Sequence, residues 1–509
     1  MAEKLHQIQI AAPGFLGLNT QDSPTTEALG FSSVANNCVI DKFGRVGARK
    51  GWEYLTTSGG SALSGSVGIE AIHDFTSRAG STTVLSAGNR LIFKGTTTLT
   101  DDTPSTASIT ANDWKMVTFN DDVYMFQVGH APMMWDSSAA NTILVSEHGS
   151  YAGTVQAGNE VLSAYGRLWV SSVTGNNNTI YWSDMLQGMV WTGGTSGAID
   201  VTKFWPSGDD DIVALAAHND RLIIFGKRSI LIYAGANSPS TMQLEDTIDN
   251  VGCVSRNTVI NTGSDVLFLS SSGLRSLSRT IQEKSAPFRD ISKNVRDDLL
   301  TAYTDELLPI KSVYSPEEAF VLLTFPTTNK VFCFDTRATM EDGSFRATTW
   351  SEIKPRALHR AVDGTMYMGH PLGISTYSSY KDNDVSYIQK YYTTALTFGE
   401  EASSLLKFLK KIGLTVIGSR APLVTIRWAY DFSSEFSSES ITLAASNAAE
   451  FGVGEYGVGE YSTAVAISTP RVNTGGSGSV ITVGVEATIN GSPFSIQKLD
   501  IYATIGRLY

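Results

Sequence analysis

Cysteine is scarce in this 509-residue chain: Cys38, Cys253 and Cys333 stand far apart, with no CxxC among them. That argues against a disulfide framework or a zinc knuckle and favours assembly in a reducing compartment. Long apolar runs are also missing, since no window approaches eighteen apolar residues and no basic-then-apolar leader opens the chain, so neither membrane insertion nor Sec export is expected. Positive charge is in deficit: 38 Lys plus Arg face 50 Asp plus Glu, a net charge of −12. A chain of that sign is not built to grip nucleic acid by neutralising phosphates. The seven histidines (His6, His73, His130, His148, His218, His359, His370) form no HxH, HExxH or i,i+4 pair. No metal or acid–base constellation is therefore readable, and no cofactor is expected.

What the chain does have is 42% hydrophobic residues, enough for a large core. These residues come in short β-branched and aromatic runs separated by Gly, Ser, Thr, Asn and Asp, which reads as strands and tight turns. One hairpin pattern, two apolar runs around a polar turn, recurs seven times, starting at residues 84, 123, 168, 222, 266, 320 and 366. The spacing suits one four-stranded propeller blade per repeat. Ordinary β-sandwiches with hairpins are the rival architecture, and the blade number stands open between six and seven. The expected fold class is mainly β: a β-propeller over residues 66–384, a C-terminal antiparallel β-sandwich-like domain over 385–509 and an irregular, Gly-rich N-terminal arm over 1–65. The one clear helix is expected from Asp290 to about Leu308, with Ile291, Val295, Leu299 and Tyr303 on one face and Pro309 as its stop. Residues Leu405–Ile412 fit either a short helix or the start of a strand.

Catalytic patterns are weak. Gly452-Val-Gly-Glu-Tyr-Gly457 spells GxGxxG without the strand and helix that a dinucleotide site needs. Asp121-Asp122 and Asp209-Asp210-Asp211 could act as glycosidase carboxylates, but turn chemistry explains them better. Tyr181-Trp-Ser-Asp184 matches the YWTD repeat of receptor propellers once, where that family repeats it blade after blade. Arg427-Trp428 reads as an aromatic ring under an amphipathic side chain. The segment Phe451-Gly-Val-Gly-Glu-Tyr456-Gly-Val-Gly-Glu-Tyr461 sets rings and glycines at five-residue intervals. It is either a projecting loop whose Phe451, Tyr456 and Tyr461 anchor a partner or form a gate, or a hairpin packing its own rings.

Gly17-Leu-Asn-Thr with Pro24, Ala28-Leu-Gly30, Ala35-Asn-Asn37, Asp41 with Gly44, and Arg49-Lys-Gly51 resembles the N-terminal signature of short-tailed bacteriophage tail proteins. Asn219–Tyr233 is similar to the most recognisable blade of the tail-nozzle (packaged-DNA stabilisation) family, and the pentads and Lys498-Leu-Asp-Ile-Tyr are similar to features near the end of related phage proteins. The resemblance implies a non-enzymatic virion protein of the tail, assembled in the host cytoplasm. It implies a hexameric ring that joins a tail adaptor ring, with fibres or tailspikes and a tail-tip plug as further partners, retains the genome and lets DNA pass without specific binding. It supplies no site residue. The alternative class is a propeller glycosidase or depolymerase acting on a host surface polysaccharide.

Overall fold

A computed structural model describes residues 5–60, 63, 68–206, 208, 210–283, 290–418, 422–443 and 466–506. The chain is mainly β, and its centre is a β-propeller of six four-stranded blades with a three-stranded sheet in the fifth position. Numbering the blades 1 to 7 by the hairpins that start at residues 84, 123, 168, 222, 266, 320 and 366, each hairpin forms the two middle strands of its sheet, except in blade 5, where Val266–Ser270 is the middle strand and Gly273–Ser276 an edge. Blade 4 runs Ile212–His218, Arg221–Gly226, Ile230–Ala234 and Gln243–Ile248 in spatial order.

Its middle strands read as unbroken apolar runs because both faces are covered. Leu222, Ile224, Leu231 and Tyr233 pack on Trp169 and Trp182 of blade 3, while Ile223, Phe225, Ile230 and Ile232 pack on Val266 and Phe268 of blade 5. The period of two thus sorts one strand's side chains between two neighbours. Two-residue turns carry positive φ at both positions, at Asn89-Arg90, Asn120-Asp121 and Asn219-Asp220. That is the primed-turn geometry that Asn and Asp tolerate and that matches the strand twist.

Blade 7 is closed from the far end of the sequence. Ala357–Arg360, Met366–His370 and Gly373–Ser378 take Gly51–Tyr54 as their fourth strand, with Trp52 opposite Tyr377. The described residues of the segment 1–65 are accordingly not an irregular arm. Besides this strand, Leu5–Ala11 pairs with Phe494–Ile505, and Phe31–Asn36 pairs with Tyr387–Thr393 and touches Phe345–Trp350 of blade 6.

Beyond blade 7 two sheets face each other. One contains Phe31–Asn36, Tyr387–Thr393, Ile481–Ile489, Leu423–Tyr430 and Ser437–Thr442; the other contains Lys407–Gly418, Phe494–Ile505, Val46–Ala48 and Cys38–Ile40, with Leu5–Ala11 at its edge. Tyr391, Ile426 and Val485 of the first meet Ile412, Leu414 and Ile501 of the second in a core continuous with Leu267, Leu299 and Phe332 of the propeller. Leu405–Ile412 resolves as the run into the strand Lys407–Gly418.

The expected helix is shorter than its periodicity. A 3-10 turn at Lys293–Val295 precedes the helix Arg296–Thr304. Ile291 and Leu299 are buried as expected, but Ile291 N–H donates to Leu274 O at 3.1 Å, and Ser292 Oγ accepts from Leu274 N–H at 3.0 Å. Residues 290–292 therefore stand in for the missing fourth strand of the fifth sheet. The Ile291 carbonyl accepts from Phe345 N–H at 3.0 Å and is not available to a residue four places on, so the α-helix cannot begin there. The helix ends at Thr304, short of Pro309.

Candidate functional site

Two constellations hold buried charge. The first lies on the propeller axis, where the innermost strands of blades 7, 1 and 2 meet the 256–261 segment and blade 6 around a cavity of about 300 Å³. Glu70, His73, Lys115, Asn257, Lys311 and His359 line it. Each cation there faces a carboxylate. Lys311 bonds Asp113, Arg256 Nη2 lies 3.3 Å from Asp113 Oδ2, Lys115 Nζ is 3.6 Å from Glu160 Oε1, and Arg356 Nη1 is 3.9 Å from Glu70 Oε1. Burial opposes the charge on Asp113, but Lys311 and Arg256 prevail and hold its carboxyl well below the ordinary range. Burial pushes Glu70 and Glu160 up, with Lys311 and Lys115 respectively opposing it. Mutually matched pairs of this kind lock neighbouring blades together and leave little field for a phosphate ligand.

Beside this cavity His359 Nε2 sits 2.6 Å from Asp74 Oδ1, and His73 Nε2 sits 2.8 Å from Thr118 Oγ1. Burial, reinforced by His359, lowers the His73 pKa to about 3, so its ring is neutral at physiological pH. A hydrolytic triad would require the hydroxyl on the ring that the aspartate orients. Here Thr118 bonds the other ring. Sequence spacing could not bring His73 and His359 together, because they meet only through the closure of blade 7 on blade 1.

The second constellation is the joint between propeller and sandwich, built from signature residues of the first 51. Arg49 is fully buried, and its guanidinium uses all five donors. Nε donates to Asn37 Oδ1 at 2.9 Å; Nη1 donates to Asp382 Oδ1 at 2.8 Å and Lys50 O at 3.0 Å; Nη2 donates to Asp382 Oδ2 at 2.7 Å and Ser351 O at 3.2 Å. Its Cζ lies 4.2 Å from the Tyr387 ring centroid, and Tyr387 Oη donates to Arg49 O. Burial opposes the cation, and the Asp382 carboxylate outweighs that, so the Arg49 pKa rises above its ordinary value. Asn37 completes the clamp: its Oδ1 accepts from Ser351 N–H at 3.0 Å and its Nδ2 donates to Ile388 O at 2.9 Å. A Cβ on Gly51 would sit 1.8 Å from Lys381 O, so only glycine lets the closing strand pass the 381–384 loop. Burial pushes the nearby Cys38 thiol up to about 12, leaving it an inert packing group.

Blade 4 and everything after it through the second strand of blade 7, Met366–His370, fall inside a recognisable stretch. Residues 206–373 match the family model described as Bacteriophage P22 Gp10, β-propeller. The match spans about a third of the chain and supports a phage-related, structural assignment. No curated protein matches. Among solved structures, the extracellular domain of a putative one-component system from B. thetaiotaomicron has 11% identity and a TM-score of 0.43, covering 77% of this chain and 48% of that one. PorZ, a surface component of the type-IX secretion system of Porphyromonas gingivalis, has 10% identity and a TM-score of 0.37, covering 76% and 46%. The WD40 propeller domain of Doa1 has 10% identity and a TM-score of 0.35, covering 62% and 95%. The chain spans about half the length of the first two, and none of the three carries a functional argument.

The residues singled out from sequence are dispersed. Asp122 Oδ1 accepts from Ser137 N–H at 3.0 Å and Asp121 Oδ1 from Arg78 N–H at 3.0 Å, both at turns of blade 2. Asp210 caps the Gly226–Ser229 turn through Lys227 and Arg228 N–H at 3.0 and 2.9 Å, and Asp211 pairs with Lys227 at 2.6 Å. Asp209 lies outside the described residues, as do Phe451, Tyr456, Tyr461 and the GxGxxG-like run. Trp428 is buried, and Arg427 pairs with Glu486 at 3.0 Å. Among the described residues no group of three or more His, Cys, Asp or Glu is arranged to hold a metal, and no helix is long and apolar enough to cross a membrane.

Proposed function

We propose that the chain is a non-enzymatic structural subunit of a phage virion, one copy of a hexameric ring at the distal end of a short tail, which retains packaged DNA and conducts it outward at ejection. The observation that carries this reading is the match of residues 206–373 to the P22 Gp10 propeller family. Two physical features support it. The matched ion pairs on the axis and the Arg49 clamp make a stiff body suited to a wall element, and a net charge of −12 per copy gives DNA no reason to adhere as it slides. The ring would join a tail adaptor ring, with fibres or tailspikes and a tail-tip plug as further partners. Closure would come from shape, with Phe451, Tyr456 and Tyr461 as gate or plug contacts.

Light scattering on the purified chain, with parallel incubation against host capsule and lipopolysaccharide, tests the reading. A multimer that releases no sugar is the expected result. A monomer or trimer that liberates oligosaccharide would make the chain a depolymerase.

A further inference from the structure

Strand edges are where a β protein is open to further pairing, and most edges in this molecule are guarded. The outermost strands of blades 1 to 4 are two to six residues long, and the longest, Gln243–Ile248, carries Glu245 and Asp246. Short length and charge are the usual protections. Two edges of the sandwich carry less of this protection, Leu5–Ala11 through its length and lack of charge and Ser437–Thr442 with a single charge, Glu439. Leu5–Ala11 (Leu-His-Gln-Ile-Gln-Ile-Ala) has no Pro, no Lys and no carboxylate, and pairs with Phe494–Ile505 over seven residues without a bulge. Ser437–Thr442 (Ser-Ser-Glu-Ser-Ile-Thr), at the edge of the opposite sheet, has no Pro, one charge and likewise an unbroken register with Leu423–Tyr430.

The hydrogen-bond alternation fixes which backbone groups face outward. Ala12 N–H donates to Gln497 O at 3.0 Å, so by the antiparallel alternation Leu5, Gln7 and Gln9 turn their N–H and C=O away from the sheet. Leu443 N–H donates to Pro422 O at 3.3 Å, which turns Ser438, Ser440 and Thr442 outward in the same way. Among the described residues no backbone bond engages these six. Each edge thus offers three open residues in one two-residue rhythm, on strands of nearly equal length.

We propose that the Leu5–Ala11 edge of one copy pairs with the Ser437–Thr442 edge of a second copy, Gln7 opposite Ser440, joining one sheet of one sandwich to the other sheet of the next. The occupant follows from the mismatch between the two edges. Self-pairing of Leu5–Ala11 would be isologous, stop at a dimer and leave Ser437–Thr442 open on both copies, whereas the unlike pairing engages both edges of every copy and is the head-to-tail contact that a ring requires. This inference rests on the ring reading above and specifies its contact.

The test uses the full-length chain. Gln7→Cys and Ser440→Cys are made separately, mixed and gently oxidised; the native thiols are all buried and add little background. Cα atoms of directly paired residues lie about 5.5 Å apart, within disulfide reach. A covalent dimer from the mixture, and none from either variant alone, is expected. Gln7→Pro and Ser440→Pro remove an outward N–H without touching the existing ladders, and each should lower the mass seen by light scattering to that of the 54.8 kDa subunit. A wild-type multimer that persists in both Pro variants and yields no cross-link puts the contact elsewhere and leaves the ring reading standing. Cross-linking of Gln7→Cys alone overturns the unlike pairing. A wild type that is monomeric at every concentration removes the ring reading together with this contact.

Discussion

Replacing Arg49 by Met removes a cation that ties its own strand to three other stretches of chain, at Asn37, Ser351 and Asp382. The apolar stem of Met keeps most of the contact with Tyr387 and Trp350, so the change is chiefly electrostatic. Asp382 is left with its carboxylate buried and unpaired, which costs about 3–5 kcal/mol when one partner of a buried ion pair is deleted. How that appears as a melting shift depends on what unfolds with it. At about 2.1 cal/mol/K per residue of unfolding entropy, a 509-residue cooperative unit would lose about 3–5 °C. A sandwich melting alone, about a quarter of the chain, would lose about 11–19 °C by the same entropy. Differential scanning calorimetry with hydrogen exchange over residues 37–52 and 380–392 reads both quantities. Adding Asp382→Asn to Arg49→Met should restore part of the loss by removing the stranded charge. A shift below about 1 °C, with exchange unchanged in both segments, would refute the claim that this clamp couples propeller to sandwich.

Four further outcomes are expected. Phe225→Ala, which empties the contact with Phe268 at 5.0 Å between blade 4 and the fifth sheet, should destabilise by about 3–5 kcal/mol in urea unfolding, against under about 1.5 kcal/mol for Ile223→Leu. Gly51→Ala should leave blade 7 open, seen as rapid proteolysis near residue 51, because its methyl would overlap Lys381 O. His370 stacks on Trp52 at 3.9 Å, and burial lowers its pKa to about 3. Since the unfolded chain binds that proton first, the ring's contribution is complete above pH 6.5 and falls by about 1.4 kcal/mol per pH unit down to about 3. His370→Phe should therefore flatten stability against pH between 6.5 and 4.5 relative to wild type. The comparison cancels Glu27, whose pKa, raised to about 7 chiefly by burial, acts in the opposite sense. Ser in place of Phe451, Tyr456 and Tyr461 should yield folded subunits but particles that leak DNA or lose a tail-tip component, and full genome retention would reduce that segment to a surface hairpin.

The seven hairpins were legible because a strand covered on both faces must be apolar throughout, as Leu222–Phe225 and Ile230–Tyr233 are. The helix was overextended for a related reason. Periodicity registers that Ile291, Val295 and Leu299 are buried, but not that the Ile291 backbone is already bonded to Leu274. The closing strand could not be seen, since Gly51-Trp-Glu-Tyr54 is four residues long and its partner lies more than 300 residues away. Arg49 beside Lys50 looks like a solvated pair, and only the arrival of Asp382 and Tyr387 from another part of the chain buries it. The axial pairs are hidden likewise: Asp113, Arg256 and Lys311 come from three separate stretches and have no shared spacing to betray them.

Electron microscopy of phage particles assembled in cells that express this chain addresses the central claim most directly. The account predicts a rotationally symmetric ring at the far end of the tail, with a central opening and six copies of a propeller fused to a sandwich. Particles whose tails contain no such ring, with the chain absent from purified virions or present only as isolated subunits, would contradict it.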